Sequence, residues 1–186
     1  MKVASTRPTL PMTYHEYALL PQDRNRYEVL DGELYMTPSP SLRHQRMVHR
    51  LTVILSQYVE AAGSGELLFA PLDVLLSETN IVQPDILFLG GSKIPPRAAK
   101  NIQVAPDLVI EVVSESSIEQ DRVHKKRIYA RHGISQYWIV DPDNRTFEVF
   151  ELAGSEYRLA GSFAGDATAS SSLFPGLTIP LARLWA

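Results

Sequence analysis

The chain has 186 residues, no cysteine, and 18 Lys and Arg against 21 Asp and Glu, for a formal net charge of −3. Its length suits one domain, and its 45% apolar and 21% charged residues match a soluble globular protein with a sizeable core. The missing cysteines exclude disulfides, thiolate nucleophiles, Cys-ligated zinc and iron–sulfur clusters, and the acidic balance at first argues against a nucleic-acid partner.

In chain order, residues 1–11 hold two prolines and little pattern, which reads as a loose arm ahead of a single domain over residues 12–186. Thr13 and Glu16 form a capping box, so a short helix should run over residues 14–20 and stop at Pro21. Residues 27–35 alternate around Asp31-Gly32, the positive-φ pair of a two-residue hairpin turn. Pro38 and Pro40 break the chain. Leu42, Met47, Val48, Leu51, Ile54, Leu55, Tyr58 and Val59 then recur at helical spacing. This predicts a long helix over 41–62, stopped by Gly63.

Strands are expected at 67–70, 73–76 and 85–89, followed by a proline-rich loop over 90–106. Residues 107–113 are the most strand-like run, β-branched and apolar except for Glu111, as in a central strand covered on both faces. A second helix should span 118–132 and end at Gly133, with Ser114, Ser116 and Ser117 as its caps. Residues 137–140 form the next central strand, 146–151 and 157–160 pair, 167–172 are a loop or edge strand, and 173–185 end in a helical turn. The sum is an α/β (α+β) fold: a central mixed β-sheet flanked by two main helices, with an added N-terminal hairpin and C-terminal strands.

No apolar run reaches the roughly 20 residues of a membrane helix, and the N-terminus lacks the apolar core of a signal peptide. We therefore expect a cytoplasmic protein with no membrane partner. The glycine-rich phosphate loops, HExxH and GxSxG are missing, so no nucleotide cofactor is expected. His15, His44, His49, His124 and His132 do not fall in pairs three or four residues apart, which argues against a His-ligated metal. Trp138 sits in a predicted core strand, where packing explains it better than base stacking.

Two acids stand where apolar residues are expected. Glu111 lies inside the most buried strand, and Asp85 opens the apolar run at 86–89. A carboxylate there costs several kcal/mol unless it is paired or metal-bound. Each alone could be a strand-end acid turned to water; together on neighbouring strands they point to function. Adjacent strands lie ~4.8 Å apart, so two side-by-side carboxylates can share a hard cation with oxygens at ~2.1 Å. An ion held by two acids, with waters completing its shell, suits phosphoryl chemistry, because it polarises the phosphorus-bound oxygen and lowers the pKa of bound water. Lys125 and Tyr129 share a helix face with Asp121, either as a solvated Asp–Lys stripe or as a cation aimed at the acids.

These residues form an ordered set: Pro84-Asp85; Pro106 to Ser114 with Glu111; Asp121, Lys125, Tyr129, Arg131 and Gly133; and Gln136 to Pro142. With the Tyr27–Leu34 pattern, the Pro38–Gln45 pattern and Leu173 to Leu177, the set resembles the Uma2 family (DUF820) from about Met12 to Trp185. The resemblance implies an endonuclease of the PD-(D/E)XK superfamily with the restriction-endonuclease-like fold. The resemblance implies metal-binding roles for Asp85 and Glu111, a supporting acid at Glu28, and Lys125 as the lysine that positions or activates water. The superfamily's usual strand lysine would fall at Val113, a departure; the resemblance to Uma2 implies a lysine from the following helix instead, a place that Lys125 fits. His44 matches a family histidine at the start of the long helix, either facing a phosphate or bonding the helix start. Arg43, Arg46 and Lys126 are the neighbouring candidates for nucleic-acid contacts.

The resemblance further implies Mg²⁺ or Mn²⁺ as cofactor, duplex DNA as substrate, and a homodimer, since a protein two-fold can match that of a duplex. The alternative is a non-catalytic nucleic-acid-binding or assembly protein on the same fold, told apart by whether Lys125 points at the acids. A third reading, a hydrolase of small phosphate esters, needs a closed pocket rather than a groove. Charge counted by segment removes the opening objection: residues 43–50 carry +3, residues 121–132 carry +4, and the rest carry −10.

Overall fold

The computed structural model describes residues 10–21, 23, 25–37, 39–115 and 117–186. The arm read at residues 1–11, the break at Pro38 and the cap at Ser116 lie wholly or partly outside them.

Thr13 starts helix α1 (Tyr14–Tyr17), with its N–H donating to the Glu16 carboxylate at 2.9 Å. This helix is shorter than residues 14–20. Tyr17 is its buried residue, whereas Leu19 beyond it is 74% exposed, so no packing extends the turn. Strands β1 (Arg26–Leu30) and β2 (Glu33–Thr37) form the expected hairpin, and Asp31 (φ 51°) and Gly32 (φ 80°) make its turn. Gly32 is required twice over, because a Cβ there would also stand 2.5 Å from Pro11 Cβ.

Helix α2 (Leu42–Ala62) runs as predicted. Ser41 Oγ accepts from the His44 N–H at 3.2 Å, and Gly63 ends the helix at φ 57°. Then come β3 (Gly65–Phe69), β4 (Val74–Ser77), β5 (Asn80–Val82) and β6 (Ile86–Gly90). The three-residue β5 has no sequence signal of its own, yet it pairs with both β1 and β4 and completes a sheet in the order β2-β1-β5-β4. The loop over 90–106 bridges back at Ile102, which pairs with Val74.

The larger sheet continues with β7 (Leu108–Val112), β8 (Gln136–Asp141), β9 (Thr146–Ala153) and β10 (Glu156–Ala164), in the order β10-β9-β8-β7-β6-β3. Only β7 and β8 are parallel, as the intervening helix requires. That helix contains a wide π turn at Gln120–Lys125 and then α3 (Lys126–Arg131), ending at Gly133 with φ 74°. The chain closes with β11 (Thr168–Ala169), β12 (Ile179–Pro180) and α4 (Leu181–Trp185). No described helix is long and apolar enough to cross a membrane.

Alternation along β7 separates two apolar layers. Leu108, Ile110 and Val112 pack with Met47, Leu51 and Leu55 of α2 and with Trp138. Val109 and Val113 pack with Ile128 and Tyr129 of α3 and with Tyr137. The two main helices therefore cover opposite faces of the sheet. Glu111 shares the parity of Val109 and Val113, and so turns toward α3.

Candidate active site

The ladder of β6 and β7 pairs Ile86 with Ile110 and Leu87 with Val109. One step further, that antiparallel register sets Asp85 opposite Glu111, the neighbouring acids expected from sequence. At this end of the sheet lies a cavity of about 200 Å³, whose lining includes Glu28, Asp85, Glu111, Asp121, Lys125 and Arg26. The turn after β2 forms one side of it with Ser39 and Ser41, and Ser114, Ser117 and Gln120 form the other.

Lys125 stands among three carboxylates. Its Nζ lies 2.9 Å from Glu28 Oε1, 3.1 Å from Glu111 Oε1 and 3.4 Å from Asp121 Oδ1. The lysine side chain is 5% exposed. The π turn carries Asp121 and Lys125 at its inner face, a local irregularity of the kind found at functional sites. Tyr129, one turn on, donates its hydroxyl to the same Glu111 oxygen at 2.7 Å. Both neighbours engage Oε1, and no partner meets Oε2 among the described residues. Glu28 is held from the other side, where Oε1 accepts the Gln83 N–H at 2.8 Å and Oε2 accepts from Gln120 at 3.4 Å.

Asp85 has a different set of partners. Its Oδ2 accepts the Val112 N–H at 2.9 Å and lies 3.0 Å from His44 Nε2, while Oδ1 accepts from Arg26 Nη1 at 3.2 Å. Burial pushes the Asp85 carboxyl up, but His44, Arg26 and the Val112 N–H outweigh it and hold the group below the usual carboxylate range. Glu111 goes the other way. Burial, only partly offset by Lys125 and reinforced by Asp121, Asp85 and Glu28, pushes it up to about 8. Burial likewise raises Asp121 against the pull of Lys125. Burial lowers Lys125, but Glu111, Glu28 and Asp121 together carry it well above its ordinary value, so it stays charged.

The charge balance tests whether a cation fits. Four buried carboxylates, Glu28, Asp85, Glu111 and Asp121, face the two permanent cations Arg26 and Lys125. With all four ionised the excess is two negative charges, and this repulsion adds to burial in keeping the proton on Glu111. The donors are hard oxygens, the preference of Mg²⁺ and Mn²⁺. Among the described residues no three His, Asp or Glu groups are arranged to hold a metal by themselves. Asp85 and Glu111 could offer hard oxygens to a divalent cation only with other oxygens completing its shell.

Of the other expected residues, His44 lines the cavity and Arg43, Arg46 and Lys126 do not. His44 bonds the helix start through its backbone, but its ring rests on Asp85, and its buried Nδ1 has no partner among the described residues. Arg43 is bonded to Asp143 and the Pro142 carbonyl, Arg46 is exposed, and Lys126 Nζ sits 3.7 Å over the Phe150 ring. None of these three lines the cavity. The two basic segments do not build one groove, because α2 and α3 cover opposite faces; they meet the cavity through His44 and Lys125. Val113 packs in the apolar layer at 2% exposure and carries no charge to the site. Sequence reasoning missed Arg26 and Gln83. The first shares a strand face with Glu28, two residues on, and the second precedes Asp85 by two, but those signals become readable only once β1 is known to lie beside the cavity.

The mixed six-stranded sheet with helices on both faces is the expected restriction-endonuclease-like fold, and its likeness to a solved structure supports it. A solved structure from Anabaena variabilis, described as "a putative nuclease belonging to DUF820", matches with a TM-score of 0.80 at 22% identity, over 94% of this chain and 98% of that one. The Uma2 family model, described as "Putative restriction endonuclease", matches residues 14–182, and the chain belongs to that family. An uncharacterised protein of Synechocystis sp. is 28% identical over 122 residues, 64% of this chain. The match spans 62% of that curated relative's length.

Proposed function

We propose that the protein is a divalent-cation-dependent endonuclease that hydrolyses DNA phosphodiester bonds by direct attack of water. The observation that carries this reading is the position of Lys125, whose ammonium points at Glu28 and Glu111 rather than at solvent. A structural Asp–Lys stripe would have left it on the helix surface.

Asp85 and Glu111 would hold Mg²⁺ or Mn²⁺, which when bound supplies positive charge to the phosphate and acidifies water. Lys125 remains charged, offsets the negative charge that builds on the phosphate, and orients water with Glu28. Tyr129 and the Val112 N–H fix the two metal-binding carboxylates in place. The cavity, about 200 Å³, is smaller than a typical small-molecule pocket and suits one phosphodiester group of a polymer better than a whole small phosphate ester. Duplex DNA is the proposed substrate and a homodimer the proposed working form.

The test is cleavage of plasmid and linear DNA by purified protein with Mg²⁺ or Mn²⁺. Asp85→Ala and Glu111→Ala should each abolish cutting. Cutting that survives both substitutions would overturn the site; binding without cutting on any nucleic acid would favour a non-catalytic member of the fold.

A further inference from the structure

Arg26 is unexplained by the reading above. It opens β1, two residues before Glu28 and on the same strand face. Its guanidinium makes two kinds of contact. Nη1 donates to Asp85 Oδ1 at 3.2 Å. Nη2 donates to the Gln83 carbonyl, and Nε donates to Gln83 Oε1 at 3.3 Å.

The Gln83 side is a fixed post. Its N–H donates to Glu28 Oε1 at 2.8 Å, and its side-chain amide donates to Asp73 Oδ1 at 2.8 Å. Asp73 is held in turn by the Tyr17 hydroxyl at 2.7 Å. The Asp85 side is different. Asp85 Oδ2 is engaged by a backbone N–H and by the His44 ring, so both oxygens of this carboxylate are in use. Oδ1 has one partner and keeps a lone pair, but a cation bound there would stand against the like-charged Arg26 guanidinium, so a strong bond to the cation requires a partner to leave. The Val112 N–H belongs to the central strand and cannot. Arg26 is the adaptable partner: its contact is the longest of the three, its side chain is 18% exposed, and it has a second anchor to keep.

We propose that Arg26 is a two-position arm: it rests on Asp85 Oδ1 while the site holds no cation, and on cation binding it leaves that oxygen, keeps its Gln83 anchor and engages a phosphate of the nucleic acid. The inference rests on the endonuclease reading of the site. A planar guanidinium suits both partners, since its fork matches carboxylate and phosphate oxygens alike. Of the two permanent cations in the cavity wall, Arg26 is the one with surface facing solvent, at 18% against 5% for Lys125. The arm makes cation and nucleic acid bind cooperatively, because each removes the partner that Arg26 would otherwise occupy.

The test measures two affinities on full-length protein: Mn²⁺ by isothermal titration without nucleic acid, and a labelled duplex oligonucleotide by anisotropy with and without Ca²⁺. Arg26→Gln should bind Mn²⁺ about tenfold more tightly, because the competitor at Asp85 is gone. The same variant should bind the oligonucleotide about tenfold more weakly in the presence of cation, with a salt slope shallower by about one. Arg26→Lys, which keeps the charge and loses the fork, should restore the salt slope but only part of the affinity. Far-ultraviolet circular dichroism establishes that the variants are folded, and Arg26→Lys carries the test if Arg26→Gln is not. A merely structural role moves both affinities the same way; weaker Mn²⁺ binding in Arg26→Gln, or an unchanged oligonucleotide affinity and salt slope, overturns the arm. If the native protein binds Mn²⁺ no better than Asp85→Ala does, the endonuclease reading fails and the arm falls with it. If the native protein binds Mn²⁺ and cuts while Arg26→Gln behaves like it, only the arm fails.

Discussion

Both faces of the six-stranded sheet bury an apolar layer, but only one buries charge beside it. Under α2, the residues Met47, Leu51, Leu55, Ile110, Val112 and Trp138 make a layer without charge. Under the π turn and α3, the same sheet buries Glu111, Asp121 and Lys125 beside Val109, Val113 and Tyr137. Burying apolar area stabilises a fold at about 25 cal/mol per Å². Burying ions costs several kcal/mol apiece before their mutual attraction is counted, and apolar residues of similar volume often do as well or better. Apolar layers on both faces therefore hold the sheet together. The α3 face carries a charge cluster that stability alone does not account for, and its place at the mouth of a cavity supplies the reason.

The comparison can be broken most forcefully at Lys125. Lys125→Ala leaves Glu28, Glu111 and Asp121 without their shared cation, and should cost about 3–5 kcal/mol in urea unfolding as well as DNA cleavage. Leu51→Ala strikes the other face, where the side chain is fully buried. It should cost about 2–5 kcal/mol and leave cleavage per folded molecule unchanged, which a thermal melt read beside an activity assay would show.

A smaller, pH-dependent effect separates the faces again. The folded value of Glu111, about 8, lies above its ordinary 4.5, so the fold favours the protonated group. Stability from this residue is complete below about pH 4.5 and is lost as pH rises toward 8, by at most about 1.4 kcal/mol per pH unit. Unfolding in chelator across that range should show the decline, and Glu111→Gln should flatten it; a native curve already flat there contradicts the assignment. The smallest change is expected at Arg43, whose partner Asp143 is as open to water as it is. Arg43→Ala should alter unfolding by less than about 1 kcal/mol, which a urea melt beside the native protein would show.

Much of the charged face was legible in the chain. Glu111 interrupts a β-branched run, and a carboxylate in such a place needs a partner, so its importance follows from composition and period alone. Asp85 follows by register, because a strand opening on an acid can present it to its neighbour. The spacing of Asp121, Lys125 and Tyr129 showed a shared helix face, but not whether that face looked at water or at the acids. The small sheet was less legible, since the three residues of β5 hold their shape through β1 and β4 rather than through propensity.

Sequence by itself determined the local units: the Asp31-Gly32 turn, the long helix between Ser41 and Gly63, and the central strand around Glu111. These depend on dihedral preference, capping and periodicity, which act between residues close along the chain. Tertiary structure alone decided that Arg26, Gln83, Asp85 and Glu28 share one wall, that α2 and α3 lie on opposite faces, and that Lys125 serves three acids. Those facts depend on pairing between strands and on which charges lose their water together, and burial of that kind exists only when distant segments close over the same space.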